Sequence, residues 1–281
     1  MPELHSPSPV ETPPPPISAT LDVQKHDLPP EVRSYADNLE AQVQAIFTEH
    51  GCTTWEEFQV LAQDSQRIPI EKMKEVSLLI QTLARVTEHP ERFAALKRAE
   101  LFTTWYKMIG FELQIPGPPV DSDEIERRSK LEIPQALFYR PATKDVSYTE
   151  FMGATGQFYH STTTGPDSKK IAWEPTDTGY WFWAEISAQT PRIPTSWDDL
   201  TARNQLLSLE EYVIVSNATQ AITGGILDAG TENWLRTRYS DNGALVVCSR
   251  PEGLGVVGWG IEALSTQIGH MGGRASEIVN S

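Results

Sequence analysis

Ile115 is followed without interruption by Pro116, Gly117, Pro118 and Pro119, and neither a regular helix nor a central strand passes through such a run. Each proline lacks an amide donor and restricts the residue before it, while glycine adds backbone freedom. The break, residues 115–120, divides the chain into two regions of different character. Upstream, apolar residues recur at helical spacing. Downstream, short apolar segments are interspersed with Thr, Gly, Pro and aromatic residues.

The upstream spacing predicts four helices. Tyr35, Leu39, Val43, Ile46 and Phe47 form one apolar stripe, and Gly51 follows as a stop. Thr54 and Glu57 have capping-box spacing, with Phe58 and Leu61 supplying the apolar face behind them. Pro69 suits a first helical turn, and Val76, Leu79, Ile80, Leu83 and Val86 continue from it. A fourth helix starts near His89 and Pro90 and carries Phe93, Leu96, Trp105, Met108 and Ile109. Residues 31–114 therefore read as a bundle-like helical region. Residues 1–30 hold Pro7, Pro9, Pro13 to Pro16, Pro29 and Pro30 with little apolar material to offset the entropy of ordering, so a disordered Pro-rich tail is expected there.

Beyond the break, Asp121 or Ser122 is placed to cap a short charged helix reaching Leu131. Strands are expected at 135–139, 179–186, 212–216, 244–249 and 254–261, and helices at 196–207 and 231–239, the last with a strand as its alternative. Asp241, Asn242 and Gly243 form a tight-turn signal, because Asn and Gly tolerate positive φ. The expected fold class is α+β, with a mixed, aromatic- and Gly-rich region at 121–270 and a flexible tail at 271–281.

Lys and Arg number 23 against 38 Asp and Glu, a formal charge of -15, which disfavours general nucleic-acid binding and contact with anionic membranes. No basic stretch followed by an apolar run opens the chain, and no apolar stretch is long enough to span a bilayer. Cys52 and Cys248 lie far apart and build no disulfide framework. A cytoplasmic or otherwise intracellular location is expected.

Four features bear on chemistry. Gly253, Gly255 and Gly258 spell the dinucleotide fingerprint, but too little chain follows to complete a strand-helix-strand unit, and Trp259 and Gly260 make a poor first helical turn. Glycines in a turn or a closely packed strand are the competing reading. The densest aromatic run is Tyr180, Trp181, Phe182 and Trp183, with Trp173 and Trp197 nearby. Burying one large aromatic is worth roughly 1.5–3 kcal/mol, so a core role is weighed against an interaction surface formed by these six residues.

Glu174, Asp177 and Glu185 beside stacking rings would suit a glycoside hydrolase, but sequence spacing does not establish their separation in space, and surface-loop acids are the favoured reading. A Cys248 nucleophile would need His160 or His270 as its base, and no local signature supports that pairing. His50 and Cys52 lack further ligands, so neither a bound metal nor a cofactor is expected. These observations favour a non-catalytic protein-interaction or self-assembly protein, scaffold- or coat-like, acting with a protein partner or as a homo-oligomer. The alternative is a small-ligand sensor or enzyme using the C-terminal region.

Overall fold

The computed structural model describes residues 28–64, 68–147, 150–151, 154, 158–159, 171–239, 243–250, 253–259 and 264–279. The chain divides into two compact units, Met1–Phe93 and Ala94–Ser281.

Within the first unit, α1 (Pro30–Glu49), α2 (Trp55–Asp64) and α3 (Ile70–Glu88) follow the predicted stripes. Pro30 opens α1 rather than closing the tail, since a first-turn amide has no helical acceptor to lose. Gly51, at φ 72°, ends it: the amides of Gly51 and Cys52 bond back to the carbonyls of Thr48 and Phe47, a Schellman closure. At α2, Thr54 Oγ1 accepts from the amide of Glu57 at 3.2 Å. The Glu57 carboxylate reaches one residue past the cap, to the amide of Thr53 at 2.7 Å. The amide and the hydroxyl of Thr53, with a smaller contribution from the amide of Thr54, hold the Glu57 carboxyl below its ordinary range. Phe47, Trp55 and Phe58 stack in the core with Val43, Ile46, Val76 and Ile80.

The second unit contains two sheets and four helices among the described residues. Helix α4 (Phe93–Met108) follows a single 3-10 turn at Pro90–Arg92, and α5 (Ser122–Ser129) is capped by Asp121, whose Oδ1 accepts from the amide of Glu124 at 2.8 Å. The remaining helices are α6 (Trp197–Ala202) and α7 (Leu209–Thr223). One sheet has the order β1 (Gln135–Arg140), β3 (Tyr180–Glu185), β8 (Ser276–Ile278), antiparallel throughout. The other has the order β2 (Phe158–Tyr159), β6 (Gly253–Trp259), β5 (Gly243–Arg250), β4 (Glu232–Tyr239), β7 (Met271–Gly272).

The second sheet is covered on both faces. Along β5, Leu245 and Val247 enter the main core with α7, while Ala244 and Val246 join Trp197, Leu200 and Trp234 on the opposite side. Alternation sends successive side chains to opposite faces, so an apolar run such as this needs two covers.

The α+β class holds, but four expectations inside it do not. Tyr212 to Ser216 belongs to α7, not to a strand: Ser208 and Glu211 form a reciprocal capping box, and Gly224 terminates the helix in the left-handed conformation. Glu232–Tyr239 form β4, the strand alternative rather than the helix, paired with β5 on one side and β7 on the other. The 115–120 break is no boundary between the units. Ile115 and Val120 pack on the aromatic core of the second, and the carbonyl of Pro116 accepts from Trp181 Nε1 at 2.9 Å. Finally, the expected tail at 271–281 supplies β7 and β8, because unpaired partners wait for it on β4 and β3. Tyr239 of β4 pairs with Gly243 of β5, while Asp241 and Asn242 of the tight-turn signal and the Pro-rich segment 1–27 lie outside the described residues.

Candidate functional site

The aromatic run is core. Trp181 is 3% exposed, Phe182, Trp183 and Trp197 are equally buried, Tyr180 is half-buried, and Trp173 alone reaches solvent at 38%. Trp181 meets Phe102 edge-on at 5.8 Å and Tyr139 at 5.2 Å, which ties α4 to β3 and, through it, to β1. Both faces of β3 are therefore covered, and the six aromatics do not form a shared surface.

What the sequence did not reveal is a charged cluster where α7 begins. Position and partner come from five elements. Arg236 of β4 holds Glu211 at 2.9 Å and Glu174 at 3.1 Å. Tyr180 of β3 donates its hydroxyl to Glu211 Oε1 at 2.9 Å and accepts from Arg140 Nη1 of β1 at 3.0 Å. Arg140 Nη2 also donates to the carbonyl of Glu174, and the amide of Glu174 donates to Glu210 Oε1 at 2.8 Å. Ser276, at the start of β8, donates to Glu211 at 3.2 Å.

Each group is tuned by its neighbours. Burial raises the Tyr180 phenol, and the Glu211 carboxylate raises it further. Burial opposes the charge of Arg236, but Glu211 and Glu174 outweigh it and keep the guanidinium above its ordinary value. Burial likewise raises the Glu210 carboxyl, against the pull of Arg140. A phenol held protonated and a guanidinium held charged are poor proton acceptors. The arrangement cross-braces α7 to both sheets.

A second cluster anchors the C-terminal strand. Asp228 and Arg274, both 0% exposed, form a side-chain ion pair, and Asp228 also accepts from Tyr212 at 2.8 Å, Thr190 at 2.6 Å and Asn233 at 3.2 Å. Arg274 spends its remaining donors on the carbonyls of Glu185 and Ser187. Glu185 pairs with Arg192 and accepts from the amide of Ala275 at 2.8 Å. Glu174, on the segment before β3, and Glu185, at the end of β3, thus belong to separate clusters, and Asp177 is exposed. The paired-carboxylate geometry of a glycosidase is not assembled.

The remaining candidates also fall apart in space. Gly253, Gly255 and Gly258 lie within β6, paired with Arg250, Cys248 and Leu245 of β5, so the fingerprint does not open a helix on which pyrophosphate could rest. Cys248 occupies β5, His270 lies 3.5 Å from Glu232, and His160 lies outside the described residues. Cys52 is buried, and burial together with Glu57 raises its thiol. Among the described residues, no three His, Cys, Asp or Glu side chains are grouped to hold a metal, and no helix is long and apolar enough to cross a membrane.

A cavity of about 20 Å³ is lined by Tyr106, Arg140, Pro141, Thr143, Val146, Phe151 and Ile214. That is room for one water, whereas small-molecule sites run to about 300–1,000 Å³.

Compared with family models, with curated protein sequences and with solved structures, the chain has no match in any of the three.

Proposed function

We propose that the chain is a non-catalytic protein-interaction or self-assembly protein whose contact surface lies on the helical unit. The supporting observation is the exposure of Val60 on α2 and of Ile70 and Leu78 on α3, at 63%, 69% and 60%. Covering a large aliphatic side chain releases roughly 1.5–3 kcal/mol, a gain these three positions leave for a partner. The second unit also exposes Met108, Leu131, Trp173, Ile222 and Ile278, each on a different segment of the chain. Its clustered ionisable groups are engaged with one another, and the cavity beside Arg140 is far below metabolite size.

The reading is tested by light scattering over a concentration series, with affinity capture from lysate. The triple variant V60E/I70E/L78E is expected to weaken association at least about tenfold, or about 1.4 kcal/mol. Because all three side chains are exposed, its circular dichroism should match that of the parent. A parent that stays monomeric at every concentration and captures nothing, or association unaltered in the variant, would remove this reading.

A further inference from the structure

Two guanidiniums face three carboxylates in the cluster at the start of α7. Arg140 on β1 and Arg236 on β4 stand against Glu174 on the segment before β3, and against Glu210 and Glu211 on α7 itself; Tyr180 on β3 is the remaining titratable group. With Tyr180 protonated and the other five ionised, these described residues carry one surplus negative charge.

The hydrogen bonds identify which carboxylate is surplus. Glu211 accepts from Tyr180, Arg236, Ser276 and the amide of Ser208. Glu174 reaches solvent and binds Arg236. Glu210 is 1% exposed, and its Oε2 is buried without a hydrogen-bond partner among the described residues. Among the described residues its nearest cation is Arg140, at 3.7 Å from Oε1. The helix terminus favours the ionised form, but a buried carboxylate oxygen with no donor strongly disfavours it.

We propose that Glu210 is a proton-binding site at which the second unit takes up one proton on folding, making that unit responsive to pH. Burial raises the folded-state carboxyl above the ordinary value of 4.5. Below that value, folded and unfolded chains both hold the proton, and the group imposes no penalty. As pH rises through it, the unfolded chain releases its proton first, so stability falls with pH until the raised folded-state value is passed. Glutamine keeps an acceptor for the amide of Glu174 and cannot ionise.

The test compares unfolding midpoints of the full chain and of E210Q in a series from about pH 4 to about pH 8. The midpoints are expected to converge at the acid end, with E210Q gaining an advantage that widens above the ordinary carboxylate range. Profiles that stay parallel would overturn the proposal. Isotope-edited infrared spectra supply a second readout that does not need the variant to fold. In ¹³C-glutamate-labelled parent the protonated-carboxyl carbonyl band is expected to persist to higher pH in the folded chain than in the same chain unfolded in denaturant. Identical titration of the band in the two states would also overturn the proposal.

Discussion

Replacing Asp228 with alanine is expected to lower the stability of the second unit by about 3–5 kcal/mol, because it leaves the Arg274 guanidinium buried without its counter-charge. The cost exceeds that of one lost bond. Asp228 also accepts from Tyr212, Thr190 and Asn233, so three further polar groups lose a partner in the interior. Denaturant unfolding followed by tryptophan fluorescence reads this unit well, since seven of the eight tryptophans lie beyond Phe93 and only Trp55 precedes it. The double variant D228L/R274M separates charge from packing. It is expected to recover a large part of the loss, because removing both ions also removes their desolvation penalty. A D228A midpoint within experimental error of the parent would contradict the clamp.

The second large effect is expected at Trp181. Truncation to alanine should cost about 3–5 kcal/mol, the range for deleting a buried aromatic. Its ring contacts to Phe102 and Tyr139 disappear together, and the carbonyl of Pro116 loses its donor. The same change at Trp173, which is 38% exposed, should stay near 0.5 kcal/mol. Equal losses at the two positions would mean that the aromatic run is not divided between core and surface in this way.

The helical unit was legible because its helices are covered on one face only, so their sequences carry a 3.6-residue stripe. Helix α7 has no such stripe. Leu209 through Ala218 are all buried, and Tyr212, Val213, Ile214 and Val215 alone read as a strand. The cue that could have found it was the Ser208–Glu211 spacing with Gly224 downstream, which is the signal that identified α2. Strand β4 was ambiguous for the related reason that its sheet is covered on both sides, so Trp234 and Leu235 are buried toward different cores. The ionic clusters were invisible for a different reason. Arg274 pairs across 46 residues, Arg236 across 62 and Arg140 across 40, and charge spacing along a chain carries no information at that range. The aromatic run was conspicuous in composition, but only the position of α4 and α7 decided that it faces inward.

The pairing of β8 also sets an order of events during synthesis. Translation delivers Arg274 and Ser276–Ile278 after the strand and the carboxylate they complete, namely Phe182–Ala184 and Asp228. Until residues 274–278 are made, a nascent second unit has neither the counter-ion for Asp228 nor the partner for that edge of β3. The helical unit ends at Phe93 and depends on neither contact, so it is expected to complete its core earlier in synthesis than the second unit.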